Sequence, residues 1–246
     1  SAASDVYKRQ GILNPEKTVL MPDAEADCPM AHMATKEKIL DMRSKYDDLA
    51  VVCYINSTAE LKKYSDVCVT SANALKIVKA LPNKNIYFIP DENLGQYIAS
   101  QLPEKNFIFN DGRCPIHAAL TAESLKRAKA AHPDAQVLIH PECVPETLEL
   151  ADYIGSTSGI INYATESDCK EFIICTEDGV MYELKKRNPE KTFYLADESF
   201  RCPGMKLVTL EKVLDVLKND KNKVVVDEEL REASMLPLKK MLELAK

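Results

Sequence analysis

The sequence predicts an α/β fold: a pseudo-threefold arrangement of small parallel-sheet units covered by helices, with the first unit incomplete. Three observations predict it. Cysteine, proline and a threonine seven positions after the cysteine occur together three times, as CPMAHMAT from Cys28, CPIHAALT from Cys114 and CPGMKLVT from Cys202. These cysteines stand 86 and 88 residues apart, and self-similarity at a fixed period marks repeated architecture. Short apolar runs of strand type alternate with amphipathic helical patterns along most of the chain.

The motif is not an accident of composition. Only these three of the 8 cysteines precede proline, and with 13 prolines in 246 residues any one cysteine does so about once in 20. The formal charge of −6 and the lack of a Lys/Arg-rich run argue against nucleic acid or an anionic membrane as partner. No apolar stretch reaches membrane-spanning length and no signal peptide is visible, so the expected location is the cytoplasm. There, cysteines point to metal, catalysis or packing rather than disulfides.

Residues 1–10 (SAASDVYKRQ) continue into no later pattern and are set aside as an unrelated leader. Residues 11–49 read as the remnant of a first unit, 50–135 as the second, 136–226 as the third and 227–246 as a C-terminal helix. Asn14-Pro15-Glu16-Lys17 before TVLMPD matches Leu102-Pro103-Glu104-Lys105 before NFIFND and Asn188-Pro189-Glu190-Lys191 before TFYLAD. Each reads as a proline turn and a short strand leading into a Cys-Pro loop.

The threonines Thr35, Thr121 and Thr209 then cap a helix, with Glu37, Glu123 or Glu211 at its positive end and Ile39, Leu125 or Val213 opening its apolar face. Strands are expected at 50–56, 136–142 and 223–229. A constant offset of 86 aligns Tyr54 with His140, Asn56 with Glu142, Asp66 with Asp152 and Ser71 with Thr157. By that period roughly 45–60 residues of a first unit are not in the sequence.

Three related units around a common axis would bring one thiolate each to a single point. Zinc or an iron–sulfur cluster suits such ligands; His32 or His117 could complete a zinc site. Cys53, Cys68 and Cys175 sit in apolar strands and read as packing residues, Cys143 and Cys169 stay undecided, and His132 reads as solvated. Ligands of parallel α/β units bind at the carboxyl ends of strands. There the chain carries Tyr54-Ile55-Asn56 and His140-Pro141-Glu142, with Ser71 and Thr157 seventeen positions beyond the first residue of each. Such groups can move protons and hold small anions.

YINSTAE at 54–60 with TSAN at 70–73, IHPEC at 139–143 with STSG at 156–159, and the three cysteines in their loops resemble the quinolinate synthases. The resemblance covers residues 11–246. It implies a [4Fe–4S] cluster on Cys28, Cys114 and Cys202, with one iron open as a Lewis acid. It implies condensation of iminoaspartate with dihydroxyacetone phosphate to quinolinate on the route to NAD, with L-aspartate oxidase as a possible functional partner. It also implies a cavity lined by Tyr54, Ile55, Asn56, Ser71, His140, Pro141, Glu142 and Thr157, in which Tyr54, Glu142 and His140 are the catalytic candidates. With the first unit's strand end missing, the expectation is weak activity for this chain alone. Two rivals remain open: a zinc-stabilised structural or binding protein, and an aconitase-type dehydratase.

Overall fold

A computed structural model describes residues 9–246. The leader expected at 1–10 lies outside the described residues as far as residue 8, and residues 9–13 are helical. The described chain divides into two compact units, one running to Gly112 and resumed by Pro203–Lys246, the other Arg113–Cys202.

Each unit is built on a four-stranded parallel sheet. In the first, β1 (Leu49–Tyr54), β2 (Val67–Val69), β3 (Asn85–Ile89) and β4 (Asn106–Phe109) lie in the order β2-β1-β3-β4. In the second, β5 (Gln136–Ile139), β6 (Tyr153–Ile154), β7 (Glu171–Cys175) and β8 (Thr192–Leu195) lie in the order β6-β5-β7-β8. The two orders are the same, so the 86-residue offset is a structural repeat. All six residues of β1 are buried, which is why LAVVCY reads as a continuous apolar run rather than an alternating one.

Matched side chains repeat the architecture in detail. Asp66 accepts the Val51 amide at 2.7 Å in the first unit, and Asp152 accepts the Val137 amide at 2.7 Å in the second. Lys105 donates to the Leu81 and Asn83 carbonyls, and Lys191 to those of Ala164 and Ser167. In both sheets the chain turns outward in opposite directions from the two central strands. This leaves a crevice at the carboxyl ends of β1 and β3, and of β5 and β7, where α/β sheets take their ligands.

Each threonine of the repeated motif is a helix cap. Thr35 accepts from the Lys38 amide before Lys36–Lys45, Thr121 from Ser124 before Ala122–Ala131, and Thr209 from Lys212 before Leu210–Asn219. The C-terminal helix, Glu228–Leu244, packs on β2 and on helix Ala59–Lys63, with Ser234 donating to the Ala59 carbonyl at 2.8 Å.

Two expected strands do not form. The run at 223–229 makes a single antiparallel bridge, Lys223 to Leu20, and Glu228 already begins the last helix. TVLMPD likewise contributes only Leu20 to that bridge. Their β-branched residues find each other and no sheet: Val224 donates to the Val19 carbonyl at 2.9 Å, while Val225 is 88% exposed.

Candidate active site

The second unit gathers the richest cluster. Cys114 immediately precedes the short helix Pro115–Ala118, so His117 stands one turn above it, and its Nδ1 lies 3.2 Å from Cys114 Sγ. The same Nδ1 is 3.0 Å from Glu142 Oε2, and Nε2 is 3.0 Å from Thr176 Oγ1. Glu142 follows β5 and Thr176 follows β7, so the cluster occupies the switch point of the sheet. His140 stacks on His117 with centroids 4.7 Å apart, and the Phe200 ring lies tilted 5.9 Å from His117.

Water is largely excluded: His117 is 8% exposed, His140 and Glu142 4% each, and Thr176 2%. The loop His140–Cys143 is a tight turn in which the Cys143 amide donates to the His140 carbonyl at 3.0 Å, and Pro141 inside it is buried. The Glu142 amide donates to His140 Nδ1 at 3.3 Å, which leaves Nε2 to carry the proton. Burial, only partly offset by the Glu142 charge and reinforced by His117, pushes the His140 imidazole down to about 3, so it is neutral at physiological pH.

Cys114, His117 and Glu142 offer ligand atoms within 4.8 Å of one another. A thiolate, an imidazole and a carboxylate form a competent metal-binding set. Among the predicted ligands, Cys28 precedes the 3-10 turn Pro29–His32, Cys114 precedes Pro115–Ala118 and Cys202 precedes helix Pro203–Lys206. All three cysteines therefore hold the same local position, on a residue followed by a proline-initiated turn. None is in a disulfide, as thiolate ligands require. Within the first unit, Gly204 lies so close to Asp27 that a Cβ would stand 2.6 Å from the Asp27 carbonyl oxygen.

The first unit holds the second constellation. Tyr54, Ile55 and Asn56 follow β1 and are 4%, 3% and 5% exposed. The turn mirrors that of the second unit: the Ser57 amide donates to the Tyr54 carbonyl at 3.0 Å, and the Ile55 amide to Val69 at 2.9 Å. The buried Asn56 Oδ1 meets no hydrogen-bond donor among the described residues, which suits it to a ligand. Ser71 lies just past β2, the strand paired with β1, and is half-buried. Thr157 lies beyond β6 as the first residue of helix Thr157–Glu166 and is exposed; its neighbour Ser156 supplies the cap, accepting from Gly159 at 3.2 Å.

Other residues fall differently from expectation. His132 is not simply solvated but stacked on Tyr194, centroids 3.5 Å apart. Cys143 is fully buried in the apolar cluster of Leu120, Val137 and Phe200. Cys175, by contrast, meets its expectation as a packing residue: it is fully buried, and burial pushes its thiol up. His32 is bonded to Asp27, whereas His117, expected only as a zinc ligand, is the hub of the cluster. Its signal in the sequence was the three-residue spacing from Cys114; Thr176, at the end of β7, carried none beyond that strand end.

The family model described as quinolinate synthetase A protein matches residues 8–243. The quinolinate synthase of Clostridioides difficile is 50% identical over 234 residues, 95% of this chain and 77% of that protein. That of Fusobacterium nucleatum is 53% identical over 234 residues, covering 95% and 78%, and that of Aquifex aeolicus is 46% identical over 240 residues, covering 95% and 74%. The repeat, the cysteine loops and this match over nearly the whole chain agree: the chain belongs to the quinolinate synthetase A family.

Proposed function

We propose that the chain makes quinolinate from iminoaspartate and dihydroxyacetone phosphate, releasing phosphate and water, as a cytoplasmic enzyme of NAD biosynthesis. The observation that carries this reading is the buried Cys114–His117–Glu142 group beside His140: a metal ligand and proton-moving groups in one water-excluded place. Cys28, Cys114 and Cys202 would hold a [4Fe–4S] cluster, and their shared position before a proline-initiated turn fits one ligand from each of three equivalent loops. The close approach of Gly204 to Asp27 supports such a meeting of loops, in the pseudo-threefold arrangement read from the repeat. When bound, the cluster supplies a Lewis-acidic iron for a substrate hydroxyl or carbonyl.

The chain's own residues do the rest. Glu142 and Tyr54 move protons during isomerisation and dehydration. Neutral His140 donates from Nε2, and Asn56, Ser71 and Thr157 orient carboxylates and phosphate, within a wall completed by Ile55 and Pro141. Iminoaspartate would come from an aspartate-oxidising partner of the L-aspartate oxidase type. Among the described residues no helix is long and apolar enough to cross a membrane.

The test is product formation from the two substrates by the anaerobically reconstituted chain. Quinolinate in the products, even at low turnover, supports the reading; its complete absence with cluster and substrates present refutes it. The close set of Cys114, His117 and Glu142 also favours a second reading, a mononuclear zinc site that stabilises the fold. Zinc retained at one per chain, without iron or sulfide, would select it.

A further inference from the structure

Lys62 is fully buried, which is rare for an ammonium and costly unless its protons are bonded. It lies on helix Ala59–Lys63, whose cap Thr58 accepts from the Leu61 amide. From there Nζ reaches back to the turn after β1, donating to the Ile55 carbonyl at 2.9 Å and to the Ser57 carbonyl. These two carbonyls flank Asn56, the residue with the unpartnered buried oxygen.

The second unit shows what the lysine adds. At the matching position stands Leu148, half-buried against the apolar cluster, so packing alone needs no amine there. The matching turn, His140 to Cys143, contains Pro141 where the first unit has Ile55. Proline fixes φ and pre-sets such a turn; isoleucine does not. The second unit thus has a ring in its strand-end turn where the first has a buried lysine bonded to the turn's carbonyls.

We propose that Lys62 is a positioning residue for Tyr54 and Asn56, holding the Tyr54–Ser57 turn in its ligand-ready shape as Pro141 does in the second unit; this rests on the reading of that turn as part of the quinolinate site.

The test titrates quinolinate into the cluster-loaded chain by calorimetry, with thermal midpoints measured alongside, for the wild type, Lys62→Met, Lys62→Gln and Asn56→Ala. Lys62→Met is expected to weaken binding about tenfold or more, and Lys62→Gln, which keeps a neutral donor, by less. A lysine that only stabilises the fold would lower the midpoint and leave the affinity of the folded protein unchanged; that result overturns the proposal. Should Lys62→Met not fold, Lys62→Gln decides on the same criterion. Weakened binding in Asn56→Ala with wild-type affinity in the lysine variants rejects Lys62 alone. Wild-type affinity in Asn56→Ala, or no binding by the wild type, rejects the reading of the turn and the proposal with it.

Discussion

His117 Nδ1 stands 3.0 Å from Glu142 Oε2, with the two side chains only 10% and 5% exposed. A buried carboxylate persists only when hydrogen-bonded, and here the donor is an imidazole that also touches Cys114 and Thr176. Glu142→Gln keeps the shape and removes the group that can exchange a proton. Quinolinate formation should fall by about 10²–10⁴, the range for loss of a general acid or base, while far-ultraviolet circular dichroism stays unchanged. A variant with wild-type turnover would remove Glu142 from the chemistry.

His140 gives a pH signature. Its imidazole is held near 3 when folded, mainly by burial, against an ordinary value of 6.5. Between those values the unfolded chain binds a proton that the folded one refuses, so stability rises with pH across this window and is lost on acidification. The slope from this one group approaches about 1.4 kcal/mol per pH unit. His140→Gln should flatten the dependence of the urea midpoint between pH 6.5 and 4; an unchanged slope would show that His140 is not the group responsible.

The repeat predicts matched losses. Asp66→Ala and Asp152→Ala each leave a strand amide, Val51 or Val137, without its acceptor. Each should cost about 1–3 kcal/mol in urea unfolding, and Asp66→Ala also removes the carboxylate 2.9 Å from Arg43, leaving that side chain its bond to the Tyr64 carbonyl. A cost in one variant and none in the other would break the equivalence.

Much of this was legible in the sequence, for local reasons. Strand–helix alternation and threonine caps are read from neighbours along the chain, the 86-residue offset from comparing the chain with itself, and the two sheets and three caps follow them. The runs 18–23 and 223–229 misled because β-branched residues signal extended backbone, not the sheet it joins. Long-range facts stayed hidden. Nothing near Thr176 announces His117 as its partner, 59 residues away, and nothing in the helix around Lys62 announces its bonds to the turn at 55–57. His132 was misread likewise, since its partner Tyr194 comes from β8.

Gly204 marks where the third Cys-Pro loop approaches Asp27. A Cβ there would stand 2.6 Å from a backbone oxygen, which cannot swing away as a side chain would. Gly204→Ala should displace the loop and lower iron retention after anaerobic reconstitution, with little change in helix content. Wild-type iron in a folded Gly204→Ala chain would show that the close approach is not needed for the loop to work.

The account depends most on three thiolates acting as one ligand set. Iron and acid-labile sulfide per chain, measured after anaerobic reconstitution of the wild type and of Cys28→Ala, Cys114→Ala and Cys202→Ala, tests this directly. The account predicts about four of each in the wild type and loss of the cluster in every single variant, with the broad brown absorbance disappearing alongside. Full iron and sulfide in any one of the three folded variants, or zinc alone in the wild type, would contradict it.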